Sequence, residues 1–143
     1  MSFALDERLA RGTFLVGDWP LSRVLLMNDA RWPWLILVPQ REGLVELTDL
    51  DPVARTQLME EAARAARFLK AYAEADKINL GVLGNVVRQF HLHVVARAIG
   101  DPAWPGPVWG QGEATPYDAA AARALIAAAR EGLRVQSTKA STS

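Results

Sequence analysis

The chain has 143 residues and a formal net charge of zero, with 16 basic residues against 16 acidic ones, and half of its residues are hydrophobic. That length suits one domain with one sizeable core, and that balance excludes both a disordered chain and a general electrostatic attraction for polyanions. The absence of cysteine excludes disulfides and thiolate metal sites; with no apolar run of membrane-spanning length, and Asp6, Glu7 and Arg8 where a leader would be apolar, the sequence predicts a cytoplasmic protein without nucleic-acid or membrane partners.

Residues 3–10 predict a short helix ending at Gly12. Thr13 to Val16 and Arg23 to Met27 are β-rich and flank Gly17-Asp18-Trp19-Pro20, the turn chemistry of a hairpin. The run from Trp32 to Pro39 is too continuously apolar for a strand with one wet face, so it predicts a strand covered on both sides that stops at Pro39. Asp51 to Ala75 is the clearest helix. Asp51 caps it, Pro52 occupies its first turn, and Leu58, Met59, Ala62, Ala66, Leu69 and Tyr72 or Ala73 form its apolar face. Arg55, Glu60, Glu61, Arg64, Arg67 and Lys70 are assigned to its solvated face.

Ile78 to Leu83 and Val87 to Arg97 read as two strands joined at Gly84-Asn85 into a second hairpin. Gly100 to Gly112, rich in Pro, Gly and Trp, reads as an ordered loop. A last helix is expected from Thr115-Pro116, with Thr115 as N-cap and Asp118 three residues on, to about Gly132. The domain is taken as residues 1–135, followed by a polar, flexible tail over 136–143.

The only two histidines, His91 and His93, lie within Gln89-Phe90-His91-Leu92-His93-Val94-Val95. On a strand, Gln89, His91 and His93 leave one face while Phe90, Leu92 and Val94 leave the other. Imidazole titrates near neutrality and serves as nucleophile, base or acid without unusual tuning. Spacing alone leaves three readings open: a pair of metal ligands lacking a well-spaced third, two structural histidines in a polar core, or a nucleophile supported by its neighbours.

The longer string from Lys77 to Arg97 contains Asn79-Leu80-Gly81 ahead of that row. It resembles the signature of the histidine triad superfamily, His-φ-His-φ-His-φ-φ preceded by an Asn-x-Gly strand, with Gln89 in place of the first His. Upstream, Leu25 to Asn28, the segment Leu35-Ile36-Leu37-Val38-Pro39 and the long helix are similar to the family's central strands and helix, so the resemblance spans roughly residues 13–112. It implies an α+β fold: a twisted antiparallel sheet of about five strands, a long helix packed on it and a C-terminal helix, assembled as a homodimer.

In function the resemblance implies a nucleotide hydrolase or nucleotidyl transferase acting on a dinucleoside polyphosphate or a nucleoside phosphoramidate. His91 would be the nucleophile, forming a nucleotidyl-histidine, and His93 would hold the phosphate or the departing group. Asn79 and the amide of Gln89 would donate to phosphate. Asn85 stands where relatives often carry Gln, and Val86 where many carry Ser. Asn28 or Asp29 would meet the ribose, Asn28 being favoured, and Trp104, in a Trp-Pro step similar to one that follows the triad in relatives, would stack at the nucleotide. No cofactor is required, since imidazole itself attacks; a divalent ion can accompany a polyphosphate substrate. Two other functions stay open, a nucleotide-binding protein with little turnover and a histidine-based metal-binding protein.

Overall fold

The computed structural model describes residues 2–138. The chain runs α1 (Glu7–Gly12), β1 (Thr13–Asp18), β2 (Ser22–Met27), β3 (Trp34–Pro39), α2 (Pro52–Tyr72), β4 (Lys77–Gly81), β5 (Leu92–Arg97) and α3 (Ala119–Leu133). The strands form one five-stranded antiparallel sheet in the order β1-β2-β3-β5-β4. The fold is therefore α+β, as the resemblance implies.

Every residue of β3 and of β5 is buried. Val24, Leu26, Leu35, Leu37, Leu92, Val94 and Ala96 pack on one face of the sheet against Ala54, Leu58, Ala62, Ala65 and Leu69 of α2. On the opposite face, Leu25, Trp34, Ile36, Val38 and Val95 are covered by Leu9, Trp32, Ala103 and Val108. The prediction of a doubly covered strand at β3 holds, because loop residues replace a second layer of helices.

Asp51 caps α2 by accepting from Ala54 N at 2.8 Å, with Pro52 in its first turn. The apolar face is rotated from the one expected. Met59 and Tyr72 point outward, each 47% exposed, while Ala65 and Glu61 are buried. Glu61, assigned from the sequence to the solvated face, turns in because its carboxylate accepts from Leu21 N and Ser22 N at 3.0 Å each, and from Gln57 Nε2 at 3.1 Å. It thus satisfies the turn between β1 and β2, whose amides would otherwise be orphaned under the helix.

Several element boundaries differ from expectation: α2 ends at Tyr72, short of Ala75, and β1 runs on to Asp18. α1 begins at Glu7, where Asp6 accepts from Arg8 N, so residues 3–6 run ahead of the helix. β4 ends at Gly81 and β5 begins at Leu92, so Gly84-Asn85 is not a tight hairpin and residues 82–91 form a long connection. Its later part bonds elsewhere: Phe90 N donates to Leu44 O at 2.9 Å, and Arg8 Nη1 donates to Val86 O at 3.1 Å. α3 starts at Ala119 with Asp118, not Thr115, as N-cap. Thr115 and Tyr117 are held short of the helix because their backbone N–H groups donate to Asp29 and Asn28.

The outer edge of β1 is blunted. Asp18 and Gln136 exchange backbone hydrogen bonds at 2.8 Å, and Arg130 donates to the carbonyls of Val16 and Leu15 at 2.9 and 3.1 Å. Gly17 makes this possible, since a Cβ there would fall 2.5 Å from Val135 Cγ2 and 2.7 Å from Gln136 O. The expected tail thus starts with a paired residue, Gln136; residues 139–143 lie outside the described part of the chain.

Replacing Glu61 strands two buried amides, each orphan costing about 1–3 kcal/mol. Glu61→Ala is expected to lower unfolding free energy by about 3 kcal/mol with an unchanged urea m-value, read from equilibrium denaturation.

Candidate active site

Register decides which side chains meet. Leu25 lies opposite Ile36, Ile36 opposite His93, and His93 opposite Gly81. His93 therefore lies on the sheet face away from α2, flanked by the gap that Gly81 leaves. The indole of Trp109, from the loop between Gly100 and Gly112, fills that gap. A Cβ at position 81 would overlap its six-membered ring. His93 has ring centroids of Trp109 at 5.4 Å and Trp34 at 5.6 Å, both edge-on, and those two indoles are 6.2 Å apart.

His91 and His93 are brought together, with ring centroids 4.8 Å apart and planes inclined at 67°, and each is 7% exposed. Their second nitrogens are tied to different kinds of partner. His91 Nδ1 lies 2.7 Å from the backbone carbonyl of Gln89, an acceptor only, so Nδ1 carries the proton and Nε2 keeps its lone pair. At His93, Trp34 Nε1 donates to Nδ1 at 3.0 Å, so Nδ1 is the acceptor and the proton sits on Nε2. One ring thus presents a lone pair and its neighbour an N–H. Neither Nε2 has a hydrogen-bond partner among the described residues.

Burial, and secondarily the positive charge His91 can carry, pushes the His93 pKa down to about 3. The ring is neutral throughout the physiological range, so its Nε2–H can donate a hydrogen bond without adding charge.

Gln89 is adjacent, but its side chain faces the N-terminal segment: Oε1 accepts from Asp6 N and Nε2 donates to Ala4 O, both at 2.8 Å. Asn79, on the His93 face of β4, accepts from Arg97 Nη1 at 2.9 Å. Arg97 is buried and makes a two-pronged pair with Asp101 at 2.8 and 2.9 Å, between the rings of Trp32 and Trp104 at 6.0 and 5.6 Å. The guanidinium holds the Asp101 carboxyl well below the usual carboxylate range. Trp104 thus covers Arg97, and Asn85 lies exposed on the 82–91 connection.

Asn28 and Asp29, following β2, are separated from His93 by β3 and lie three and four residues beyond Leu25, the β2 residue in register with it. Asn28 Oδ1 accepts from Tyr117 N at 2.9 Å, which leaves its amide hydrogens. Asp29 is 1% exposed and accepts from Arg31 and from Thr115 N. Burial acts to raise its pKa, but the hydrogen bonds from Arg31 and Thr115 outweigh it, and the net shift is downward. Among the described residues no three His, Asp or Glu side chains cluster to hold a metal ion, and no helix is long and apolar enough to cross a membrane. A shallow cavity of about 290 Å3, lined by Arg64, Arg67, Phe68, Gly132 and Leu133, lies between α2 and α3 and is remote from the histidines.

Trp34 and Trp109 flank His93 without a local sequence pattern that brings them there. Only the pairing of Ile36 with His93 puts Trp34 on the same face, and no local pattern carries the reach of Trp109.

A histidine with its folded pKa depressed leaves the unfolded chain binding the extra proton between pH 6.5 and about 3, so stability falls as pH drops through that window. From pH 6.5 to 5 the unfolding free energy is expected to fall by up to about 1.4 kcal/mol per pH unit, and His93→Asn to flatten that slope, measured by urea denaturation.

Residues 10–99 match the HIT domain family. A histidine triad protein of Bradyrhizobium japonicum is 45% identical over 93% of this chain and 99% of its own, with a TM-score of 0.90. One from Sinorhizobium meliloti 1021 is 49% identical over 91% and 96%, with a TM-score of 0.88. One from Marinobacter aquaeolei VT8 is 40% identical over 94% and 98%, with a TM-score of 0.91. No curated protein matches the sequence. Members of the family generally bind or hydrolyse nucleotides. With its HIT-domain match, its five-stranded α+β fold and these bacterial relatives, the chain belongs to the histidine triad family.

Proposed function

We propose that the protein hydrolyses or transfers a nucleotidyl group through a covalent intermediate on His91. The observation that carries this reading is the pair of opposed tautomers at 4.8 Å, a bare Nε2 on His91 beside an Nε2–H on His93. Attack by the Nε2 lone pair on the α-phosphorus forms a P–N bond. The bond from phosphorus to the leaving group breaks, and that group departs with the electron pair. The His91 ring becomes cationic, and its Nδ1–H stays on the Gln89 carbonyl, where the hydrogen bond is strengthened by charge. His93 donates to a phosphate or leaving-group oxygen, and its neutrality avoids a second positive charge at contact distance. Water then opens the P–N bond, returning the lone pair to His91 and releasing the nucleoside monophosphate.

Dinucleoside polyphosphates and nucleoside phosphoramidates are the substrate classes that suit this chemistry. Imidazole supplies the nucleophile, so no cofactor is needed for the attack, and a divalent ion would enter only with a polyphosphate. Asn28, whose amide hydrogens remain available, is the better candidate of the 28–29 pair for a ribose hydroxyl, and Asn85, exposed and without a side-chain hydrogen bond among the described residues, is open to a phosphate. The low exposure of both histidines, with Trp109 over His93, favours a second reading in which nucleotide is held with little turnover. Multiple-turnover assays on adenylated substrates separate the two.

Rapid mixing with an adenylated substrate followed by acid quenching is expected to trap label on His91. His91→Ala should lose the adduct and at least about 10³-fold in kcat. An adduct persisting in that variant removes the mechanism.

We also propose a homodimer that uses the β4 edge. Leu80, Val82 and Leu83 are 51%, 50% and 44% exposed there, along backbone that pairs with no further strand among the described residues. Leu80→Glu is expected to convert the dimer to monomer in sedimentation velocity. A wild-type protein already monomeric at micromolar concentration counts against this assembly.

A further inference from the structure

Resting on the reading of His91 as nucleophile, we propose that Gln89 is a positioning residue, braced by the N-terminal segment Ala4–Asp6, that fixes the proton of His91 on Nδ1. The acceptor of that proton is the backbone carbonyl of Gln89 itself, at 2.7 Å. It belongs to the 82–91 connection, outside any strand, so no sheet ladder aims it. Its direction is set instead by two contacts: the Phe90 N–H of the same planar peptide donates to Leu44 O at 2.9 Å, and the Gln89 side chain bonds Asp6 N and Ala4 O at 2.8 Å each. Arg8 Nη1 on Val86 O at 3.1 Å ties the connection to the same N-terminal region three residues earlier.

The chemistry of the brace explains a glutamine at this position. Ala4 offers an acceptor and Asp6 a donor, and a primary amide presents one donor and one acceptor side by side at the end of a planar group. The two assignments of the amide are distinguishable, because only Oε1 toward Asp6 N pairs a donor with an acceptor at both contacts. A neutral imidazole has the same inventory on nitrogens that point widely apart, and a carboxylate would set an anion against the Ala4 carbonyl. Position 89 thus acts through the peptide it belongs to. If that carbonyl swings away, the His91 proton distributes over both nitrogens, and each ring protonated at Nε2 has lost its nucleophilic lone pair. Such a change lowers the fraction of competent enzyme without altering the groups that contact substrate.

The test uses full-length protein carrying 15N-labelled histidine, as wild type, Gln89→Ala and the closer isostere Gln89→Glu. Ring 15N shifts are expected to place the His91 proton on Nδ1 in wild type and to move toward a mixture of tautomers in both variants. His93, held by Trp34, should stay unchanged and serves as an internal control for folding. Adduct formation and kcat should fall about 10- to 100-fold in the variants, with KM changed less than about twofold. An unaltered His91 tautomer in folded variants overturns the proposal, whatever happens to the rate. A tautomer shift in the variants together with no adduct in wild type overturns the nucleotidyl-transfer reading and leaves the brace standing.

Discussion

Two-sided burial of the central strands governs this molecule. β3 and β5 have α2 on one face and a cover of Trp32, Ala103, Val108 and the first helix on the other. Any polar group on those strands must therefore find its partner inside the protein. Arg97 finds Asp101 and Asn79, and His93 finds Trp34. The same dryness depresses the His93 pKa and makes a fixed N–H worth more than it would be in water.

The parts of the fold legible in the sequence are those whose signal is local. A capping Asp51 before Pro52 marks the start of α2, and an unbroken apolar run marks β3. The stretch from Val87 to His91 has the alternation of a strand and is not one: its Phe90 N–H goes to Leu44 O and its Gln89 side chain to the N-terminal segment, both far away in sequence. Glu61 misleads for a related reason: a helical wheel registers its charge and cannot register the two turn amides waiting beneath the helix. Thr115 has the side chain of a cap, but its amide donates to Asp29, and the helix waits for Asp118.

At the site, the closeness of the two histidines was readable from spacing; that His91 precedes β5, that Gln89 turns to the N-terminal segment, and the opposite tautomers were not. Tautomer depends on the partner of the far nitrogen, which is a peptide carbonyl in one case and an indole from a neighbouring strand in the other. The polar residues around the pair also have internal work. Asn28 and Asp29 anchor the Thr115–Tyr117 approach to α3, and Asn79 completes the shell of a buried guanidinium. A polar side chain near a reactive group is thus ambiguous from sequence, since the same amide can shape the backbone and face a ligand.

The asymmetry of the sheet margins has a consequence for assembly. Arg130 and Gln136 occupy the backbone groups at the β1 side, aided by the missing side chain at Gly17. Lateral addition of strands is then hindered at the β1 margin, which leaves the opposite margin the more receptive one among the described residues. A subunit with one receptive side can join a twin across a two-fold axis and go no further, whereas two receptive sides would let copies add end upon end into a fibre.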